Sequence, residues 1–239
     1  MKIKEAGKRV ETKEKYLPTD DEIASILDNV NERYRALTSL MLHHGLRIGE
    51  AIALERDDVR VEHQPGAPLP RVTVRVKQNA QRISGKGGTY MLVQPPKTKA
   101  GYRDVPIMAA DVPIFLEHLE KYAPTSSTVV QTSEGERSAV LFTVTNAGRM
   151  VMDTSYRSVL ARAKERAGVS PDIDPHTGRN WLITRLAEQD AHLKEIGRLL
   201  GQDDVTTILN VYLKVRAERT TSLMDKVSNT LEVEDDGTA

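Results

Sequence analysis

Residues 175–181 read Pro-His-Thr-Gly-Arg-Asn-Trp and open a run whose apolar spacing predicts a helix. His176 and Arg179 are three residues apart, so on a helix they share one face and can reach the same anion. Tyr212 lies on a later segment with helical spacing, from which its phenol can approach the same point. The stretch from His176 to Tyr212 therefore indicates phosphate chemistry. Such a site needs partners from elsewhere in the chain, because a His and an Arg on one helix are more often capping or solvated groups.

The composition is that of an ordinary globular protein: 239 residues, 39% hydrophobic and 28% charged, enough for one good core or two modest ones. The chain has no apolar run of about 18 residues or more and no charged-then-apolar start, so we expect no membrane span, no signal peptide and a cytoplasmic location. The lack of cysteine excludes disulfides, thiolate catalysis and thiolate zinc sites. The six histidines show no metal-ligand spacing, so we predict neither a metal nor another cofactor.

Charge is unevenly distributed along the chain, although 34 basic residues balance 34 acidic ones. The neutral total argues mildly against a nucleic-acid partner. The segment 71–103, however, contains no Asp or Glu, and as one surface its field can hold a polyanion. The alternative is a solvated hairpin that happens to lack acids. The basic residues of this segment are Arg71, Arg75, Lys77, Arg82, Lys86, Lys97, Lys99 and Arg103.

The first half of the chain changes from helical to strand spacing. Residues 1–16 are polar without apolar periodicity, which is typical of a linker or arm. A capping box that begins at Thr19 predicts a helix start, and Gly45 predicts the end of a second helix. From 59 to 107 apolar residues alternate with polar ones, which predicts a small antiparallel meander with a hairpin turn at 85–88.

The second half is predicted to return to helices. Residues 125–138 have the composition of a polar loop, and helical spacing follows in 153–167 and beyond. The segment 218–231 has an apolar face, and the last residues, 232–239, form an acidic tail that we expect to be disordered.

Five sequence motifs occur in one order along the chain. They are Gly-Leu-Arg-x-Gly-Glu around Arg47, Pro-Lys-Thr-Lys-Ala-Gly-x-Arg-x-Val-Pro around Lys97, His-x-x-Arg from His176, Leu-Leu-Gly from Leu199, and Tyr212, ten residues after Gln202. This order resembles the catalytic domain of the tyrosine recombinases, and the extended first hairpin resembles phage or mobile-element integrases most. The resemblance covers 17–231, nearly the whole chain. Each motif alone is weak evidence, but five in register are strong.

The resemblance implies a fold and a domain organisation. We expect a mainly α fold with a small antiparallel β-sheet at one edge (α+β). Residues 17–231 are expected to form the catalytic domain, with 1–16 a linker or arm remnant and 232–239 a tail. Members of the family normally have an N-terminal core-binding domain, for which there is no room before Leu17. The chain is therefore expected to be a catalytic fragment or a naturally short protein.

The resemblance also implies an enzyme, a site-specific recombinase that breaks and rejoins DNA without metal or ATP. Tyr212 is the expected nucleophile, whose attack on phosphorus gives a 3′-phosphotyrosine link and a free 5′-hydroxyl. Arg47 and Arg179 are expected to stabilise the non-bridging oxygens in the transition state, because guanidiniums are always-charged, paired donors. Lys97 is the expected general acid for the departing 5′-oxygen, and Lys99 is the less favoured candidate for that role.

Other residues are expected to support the reaction or to limit it. His176 would hydrogen-bond the phosphate and help accept the tyrosine proton, and Glu50 would brace neighbouring backbone or a side chain. Gln202 stands where the family usually has His or Trp, and it can donate a hydrogen bond but cannot carry charge. Because Gln202 also cannot move a proton, we expect reduced rather than absent activity. Asn180 stands where the family often has a second His. Backbone-phosphate or solvent contacts without sequence reading are expected of Arg75, Lys77, Lys99 and Arg103.

The implied partner is duplex DNA at an attachment or recombination site. We expect a homo-tetramer on the DNA, assembled from a monomer or weak oligomer, with the segment 218–231 docked on a neighbouring protomer. Accessory DNA-bending proteins are further candidate partners. No membrane partner is expected.

Alternatives remain open at this point. Each residue also has a structural interpretation: Arg47 and Glu50 as an ion pair, Tyr212 as a half-buried core phenol, the loop lysines as ordinary surface charges. A type IB topoisomerase uses similar tyrosine chemistry but relaxes supercoils as a monomer. Gln202 and Asn180 favour a catalytically weak DNA-binding regulator. A plain helical interaction module would leave the candidate site residues dispersed in the structure.

Overall fold

The computed structural model describes the following residues: 16–85, 88–202, 206–217, Met224 and Ser228. The expected arm therefore lies outside the described residues except for Tyr16. The acidic tail 232–239 lies outside them as well, and so does the segment 218–231 apart from the two residues just named. Within the described ranges, every helix is too short or too polar to span a bilayer.

Helices dominate the fold, as the predicted class requires. In chain order the α-helices are α1 (Asp20–Asn29), α2 (Arg35–Leu42), α3 (Ile48–Ala53), α4 (Val112–Lys121), α5 (Asp153–Ala167), α6 (Pro175–Glu188), α7 (Leu193–Leu200) and α8 (Thr206–Ala217). The capping box at the start of α1 is confirmed, since the Glu22 amide donates to the Thr19 hydroxyl and the Thr19 amide to the Glu22 carboxylate. Gly45 has a φ of +66°, which directs the chain away from α2.

The strands form two sheets instead of the single meander that alternation predicted. One sheet is antiparallel with the order β1-β2-β5, and the other has the order β3-β4-β6-β7, with β4 and β6 parallel. The strands are β1 (Val59–Glu62), β2 (Arg71–Val76), β3 (Asn79–Gly85), β4 (Gly88–Gln94), β5 (Arg103–Pro106), β6 (Thr128–Thr132) and β7 (Gly135–Ala139).

The meander prediction was wrong because β3 and β4 leave the first sheet as a hairpin of their own. β2 instead pairs with β5, which sets Val74 opposite Val105 and buries both valines. β3 and β4 are paired along their whole length, and the last pair is Gly85 opposite Gly88. This pairing agrees with the hairpin turn predicted at 85–88. The polar loop predicted for 125–138 was also wrong, since it contains the antiparallel pair β6 and β7.

Helix α6 packs against α2, α7 and α8. Trp181 and Ile183 of α6 are buried in the core, and the Trp181 indole donates to the Asp20 carboxylate at 2.8 Å. Gly178 permits the close approach to α2, since a Cβ there would lie 2.5 Å from Leu42 Cα. The helix that carries His-x-x-Arg is therefore held by backbone-to-backbone contact.

We predict that Gly178→Ala lowers the free energy of unfolding by about 1–3 kcal/mol, because the added methyl must push α6 away from α2. Urea denaturation monitored by circular dichroism measures this difference. Gly85→Ala is the matched control, since a Cβ there meets nothing within 4 Å, and it should change stability little. Equal stabilities for the two variants would contradict the close α2–α6 contact.

Candidate active site

One cleft of about 800 Å³ collects five of the six predicted catalytic residues, together with the supporting Glu50. They come from distant parts of the chain: the turn before α3, the loop after β4, the start of α6 and the end of α7. The five are Arg47, Lys97, His176, Arg179 and Gln202. A dispersed arrangement, expected of a plain interaction module, is therefore not what the fold produces.

Arg179 is buried at the floor of this cleft, with 6% of its surface exposed. Its guanidinium donates to the Gly45 carbonyl at 2.8 Å, to the Leu200 carbonyl at 2.7 Å and to Gln202 Oε1 at 2.9 Å. Burial, followed by the nearby charge of Arg47, lowers the pKa of Arg179 to about 9. At neutral pH it stays cationic, so the cleft holds a fixed positive charge on a guanidinium oriented by neighbouring oxygens.

Arg47 is more accessible than Arg179, with 42% of its side chain exposed. It is the N-cap residue of α3, and its amide and its guanidinium both donate to Glu50, at 2.9 and 3.0 Å. Glu50 thus braces both backbone and side chain. A guanidinium held at one end and open at the other is suited to meet a ligand anion.

Glu50 is itself buried and is shared between two arginines. Arg103 donates to both of its carboxylate oxygens, at 3.2 and 2.8 Å. Burial alone would raise the pKa of Glu50, but the hydrogen bonds and charge of Arg103, and then those of Arg47, hold the pKa below its ordinary value. The carboxylate therefore stays ionised and divides its charge between the two guanidiniums.

Arg103 corrects one prediction, since the sequence placed it on a phosphate-contacting or solvent-exposed surface. Its side chain is 4% exposed, and it also donates to the backbone carbonyls of Leu199, at 2.8 Å, and Gly101, at 3.2 Å. Strand alternation explains the difference, because Arg103 shares the inward face of β5 with Val105.

His176 and Gln202 line the cleft from two different elements, the start of α6 and the segment just after the end of α7. His176 is the second residue of α6 and is exposed, with the Asp174 carboxylate accepting from its amide at 2.8 Å. Gln202 follows α7 and uses its carbonyl oxygen to accept from Arg179. The side-chain amide nitrogen of Gln202 remains as a hydrogen-bond donor, which is the group needed to bind an oxygen of an anion.

The two candidate lysines are separated by their position relative to the cleft. Both Lys97 and Lys99 are exposed. Lys97 and the following Thr98 line the cleft, whereas Lys99 begins a short 3₁₀ turn (Lys99–Gly101) and is not among the lining residues. The geometry favours Lys97 as the lysine that reaches a bound ligand.

The remaining predicted DNA contacts differ from each other. Arg75 is half exposed and lies 3.5 Å from the Asp104 carboxylate. Lys77 is engaged within the protein, at 2.9 Å from Asp58 and 3.4 Å from Glu55. Two carboxylates partner the Lys77 ammonium while 38% of its side chain stays exposed, so its contact with DNA stays a prediction.

No group of His, Asp and Glu side chains suited to hold a metal ion occurs in the part of the chain that the structure describes. Positive charge in the cleft is supplied by the arginines and Lys97 instead.

Comparison with known proteins shows the family. The sequence profile of the phage integrase family matches residues 17–219. The chain belongs to the phage integrase family.

Among its relatives, tyrosine recombinase XerD of Corynebacterium glutamicum is 31% identical over 195 residues, which are 82% of this chain and 52% of XerD. The putative prophage phiRv2 integrase of Mycobacterium tuberculosis is 25% identical over 217 residues, 90% of this chain and 52% of the integrase. The chain thus spans about half the length of these relatives.

A solved structure agrees with the fold. The Tn1549 transposon integrase, in complex with transposon right end DNA, superposes with a TM-score of 0.68 at 20% identity, covering 87% of this chain and 66% of that one. The resemblance to the tyrosine recombinase catalytic domain and the α+β fold class are confirmed.

Tyr212, the predicted nucleophile, is the one predicted catalytic residue that does not line the cleft. Tyr212 is on α8, half-buried against the core, and is not among the residues that line the cleft. Helix α8 packs against α6 and α7, the helices that carry or precede Arg179 and Gln202. The structure therefore brings five of the six predicted catalytic residues together and leaves the sixth on an adjacent helix.

Sequence reasoning missed the far end of the cleft. Arg82 of β3, together with Asp153 and Arg157 of α5, lines it, and Arg82 lies 3.3 Å from the Asp153 carboxylate. The one available signal was weak: Arg82 belongs to the segment that lacks acids. The phage integrase fold thus extends the positive cleft beyond the five sequence motifs.

We predict that Glu50→Gln lowers the free energy of unfolding by about 3 kcal/mol, because Arg103 then stays buried without a counter-charge. Urea denaturation measures the loss. Glu117→Gln is the control, since it removes an exposed carboxylate 2.8 Å from Lys121, and it should leave the midpoint unchanged. A Glu50→Gln variant as stable as the parent would show that the carboxylate does not neutralise the buried arginine.

Proposed function

We propose that residues 17–231 form a catalytic domain that cleaves and rejoins DNA through a 3′-phosphotyrosine intermediate, as a site-specific recombinase of the integrase type. One observation carries the proposal: Arg47, Lys97, His176, Arg179 and Gln202 converge on one cleft. Uncatalysed cleavage of a phosphodiester lacks two things: stabilisation of the negative charge in the transition state, and proton transfer at the attacking and leaving oxygens. The five groups can supply both.

Charge stabilisation falls to the two arginines. Arg179 is buried and oriented by three acceptors, and Arg47 is held by Glu50 with its outer face open to the cleft. Together they would donate to the non-bridging oxygens of the scissile phosphate. Because guanidiniums keep their charge, this stabilisation requires no metal.

The reaction needs two proton transfers. The Tyr212 oxygen attacks phosphorus and forms the P–O bond of the phosphotyrosine, while its proton passes to His176. The bond from phosphorus to the 5′-oxygen breaks, and Lys97 donates the proton that turns the leaving group into a 5′-hydroxyl. The phosphodiester energy is kept in the new ester, so attack by another 5′-hydroxyl reverses the steps and rejoins DNA without ATP.

Cleavage also requires Tyr212 to enter the cleft. Because it does not line the cleft in this structure, α8 must shift along α6 and α7 when DNA binds. Assembly of a homo-tetramer on DNA, with the segment 218–231 docked between protomers, is the proposed occasion for that shift. The free chain is proposed to be a monomer or weak oligomer.

Duplex DNA is the proposed substrate. We place it along the cleft, which Arg82 and Arg157 line, and against the exposed cations Arg75 and Lys99. We place the protein in the cytoplasm on a recombination site, with DNA-bending proteins as candidate accessories. Phosphate contacts of this kind make affinity strongly dependent on salt.

A catalytically weak DNA-binding regulator is the second candidate. Two observations favour it: Tyr212 lies outside the cleft, and Gln202 cannot carry charge. Covalent capture of DNA separates the two candidates.

We predict that the protein captures a randomised pool of nicked duplexes covalently in the presence of EDTA, and that Tyr212→Phe abolishes this capture. The short 5′-hydroxyl strand diffuses from the nick, so the 3′-phosphotyrosyl product accumulates and is counted on a denaturing gel. Tyr102→Phe, a change at an exposed tyrosine, is the control and should retain capture. DNA binding without any captured product would instead support the regulator.

A further prediction concerns Gln202. Gln202→Ala should slow single-turnover capture about 100-fold, the usual loss for one donor to a developing oxyanion, and Gln202→His should match or exceed the parent. Gln189→Ala, at the exposed end of α6, should change nothing. If Gln202→Ala cleaved at the parental rate, the Gln202 amide would have no contact with the reacting phosphate.

A further inference from the structure

We propose that Arg103 is a positioning residue for strand cleavage, a buried guanidinium that sets the relative positions of three cleft segments. This inference rests on the proposed cleavage activity. It assigns a role to a residue that lies behind the cleft, outside the set that would touch DNA.

The acceptors of Arg103 lie on different segments. Its Nε donates to the Leu199 carbonyl, three residues before Gln202, at 2.8 Å. Its Nη1 donates to the Gly101 carbonyl, at the end of the turn that follows Lys97, at 3.2 Å. Both Nη atoms donate to the Glu50 carboxylate that braces Arg47. A planar guanidinium fixes the angles among these bonds, so the three segments are held in one register.

Gly201 supplies an independent observation. A Cβ at this position would lie 2.7 Å from Arg103 Nη1 and 3.0 Å from the Ala100 carbonyl oxygen, and the residue has a φ of +64°. The glycine of the Leu-Leu-Gly motif therefore makes room for Arg103 as well as ending α7. The Leu-Leu-Gly motif and Arg103 are therefore in direct contact.

Arg103 also controls how Arg47 is used. Glu50 is 7% exposed and has both Arg103 and Arg47 as partners. With Arg103 present, both carboxylate oxygens of Glu50 accept hydrogen bonds from the Arg103 guanidinium. The outer face of the Arg47 guanidinium can then donate to a phosphate. Without Arg103, the whole negative charge of Glu50 would act on Arg47 and draw its guanidinium away from the position in which it stabilises the transition state.

The test measures single-turnover capture of nicked DNA by Arg103→Lys and by the double variant Glu50→Gln/Arg103→Gln. Lysine keeps the charge but cannot make the forked set of contacts. The double variant replaces a buried ion pair by a neutral pair, a change that proteins often tolerate, so it guards against a simple failure to fold. Arg60→Lys, on β1 beside Asp104, is the matched control.

We expect both Arg103 variants to cleave about 100-fold more slowly, as misplacement by about 1 Å of a catalytic group does. The final captured fraction and the half-saturating DNA concentration should stay at the parental values, and Arg60→Lys should match the parent throughout. A reduced captured fraction with an unchanged rate constant would mean that Arg103 serves folding alone, and weaker binding with a shallower salt dependence would mean that it contacts DNA. Either result overturns the inference. Absence of captured product in the parent protein would overturn the proposed function, and the positioning role with it.

Discussion

The structure around the cleft depends on one buried carboxylate held between two guanidiniums. Burying Glu50 is costly unless its charge is matched, and Arg47 and Arg103 provide that match from opposite sides. Arg103 belongs to β5, and it also donates to the carbonyls of Leu199 in α7 and Gly101 in the loop after Lys97. The ion pair with Glu50 therefore connects the start of α3 with β5, α7 and this loop. The electrostatic requirement of one residue thus determines where several others lie.

A second buried cation completes this arrangement. Arg179 uses its donors on Gly45, Leu200 and Gln202, so the residues that flank the cleft are bonded to its floor. The cleft is therefore preorganised for an anion before any ligand arrives, which is how electrostatic stabilisation becomes large in a catalytic site. Of the six predicted catalytic residues, Tyr212 alone is not among the residues that line the cleft.

Much of the cleft could be predicted from the sequence, since the motifs around Arg47, Lys97 and His176 occur in register with two others, although each motif alone is weak evidence. The DNA contact predicted for Arg103 was misassigned, because a run of basic residues shows the sign of the charge and not the direction of each side chain. Arg103 lies two residues before Val105 on the same strand, so the two side chains share one face. Applying strand alternation to Arg103 would have predicted that it points inward with Val105. Lys77 has carboxylate partners far away in sequence, and local patterns do not reveal them. The parallel pairing of β4 with β6 was missed for the same reason, since the paired positions are distant along the chain.

The most direct test is a crystal structure of the Tyr212→Phe variant bound to duplex DNA that contains its cleavage site. One phosphate should lie in the cleft, within hydrogen-bond distance of Arg47, Arg179 and the Gln202 amide nitrogen. Lys97 should face the 5′-oxygen, and the aromatic ring at position 212 should lie opposite it, in line with phosphorus. A DNA backbone bound elsewhere, for example along Arg75, with the cleft arginines still facing only protein, would contradict the account.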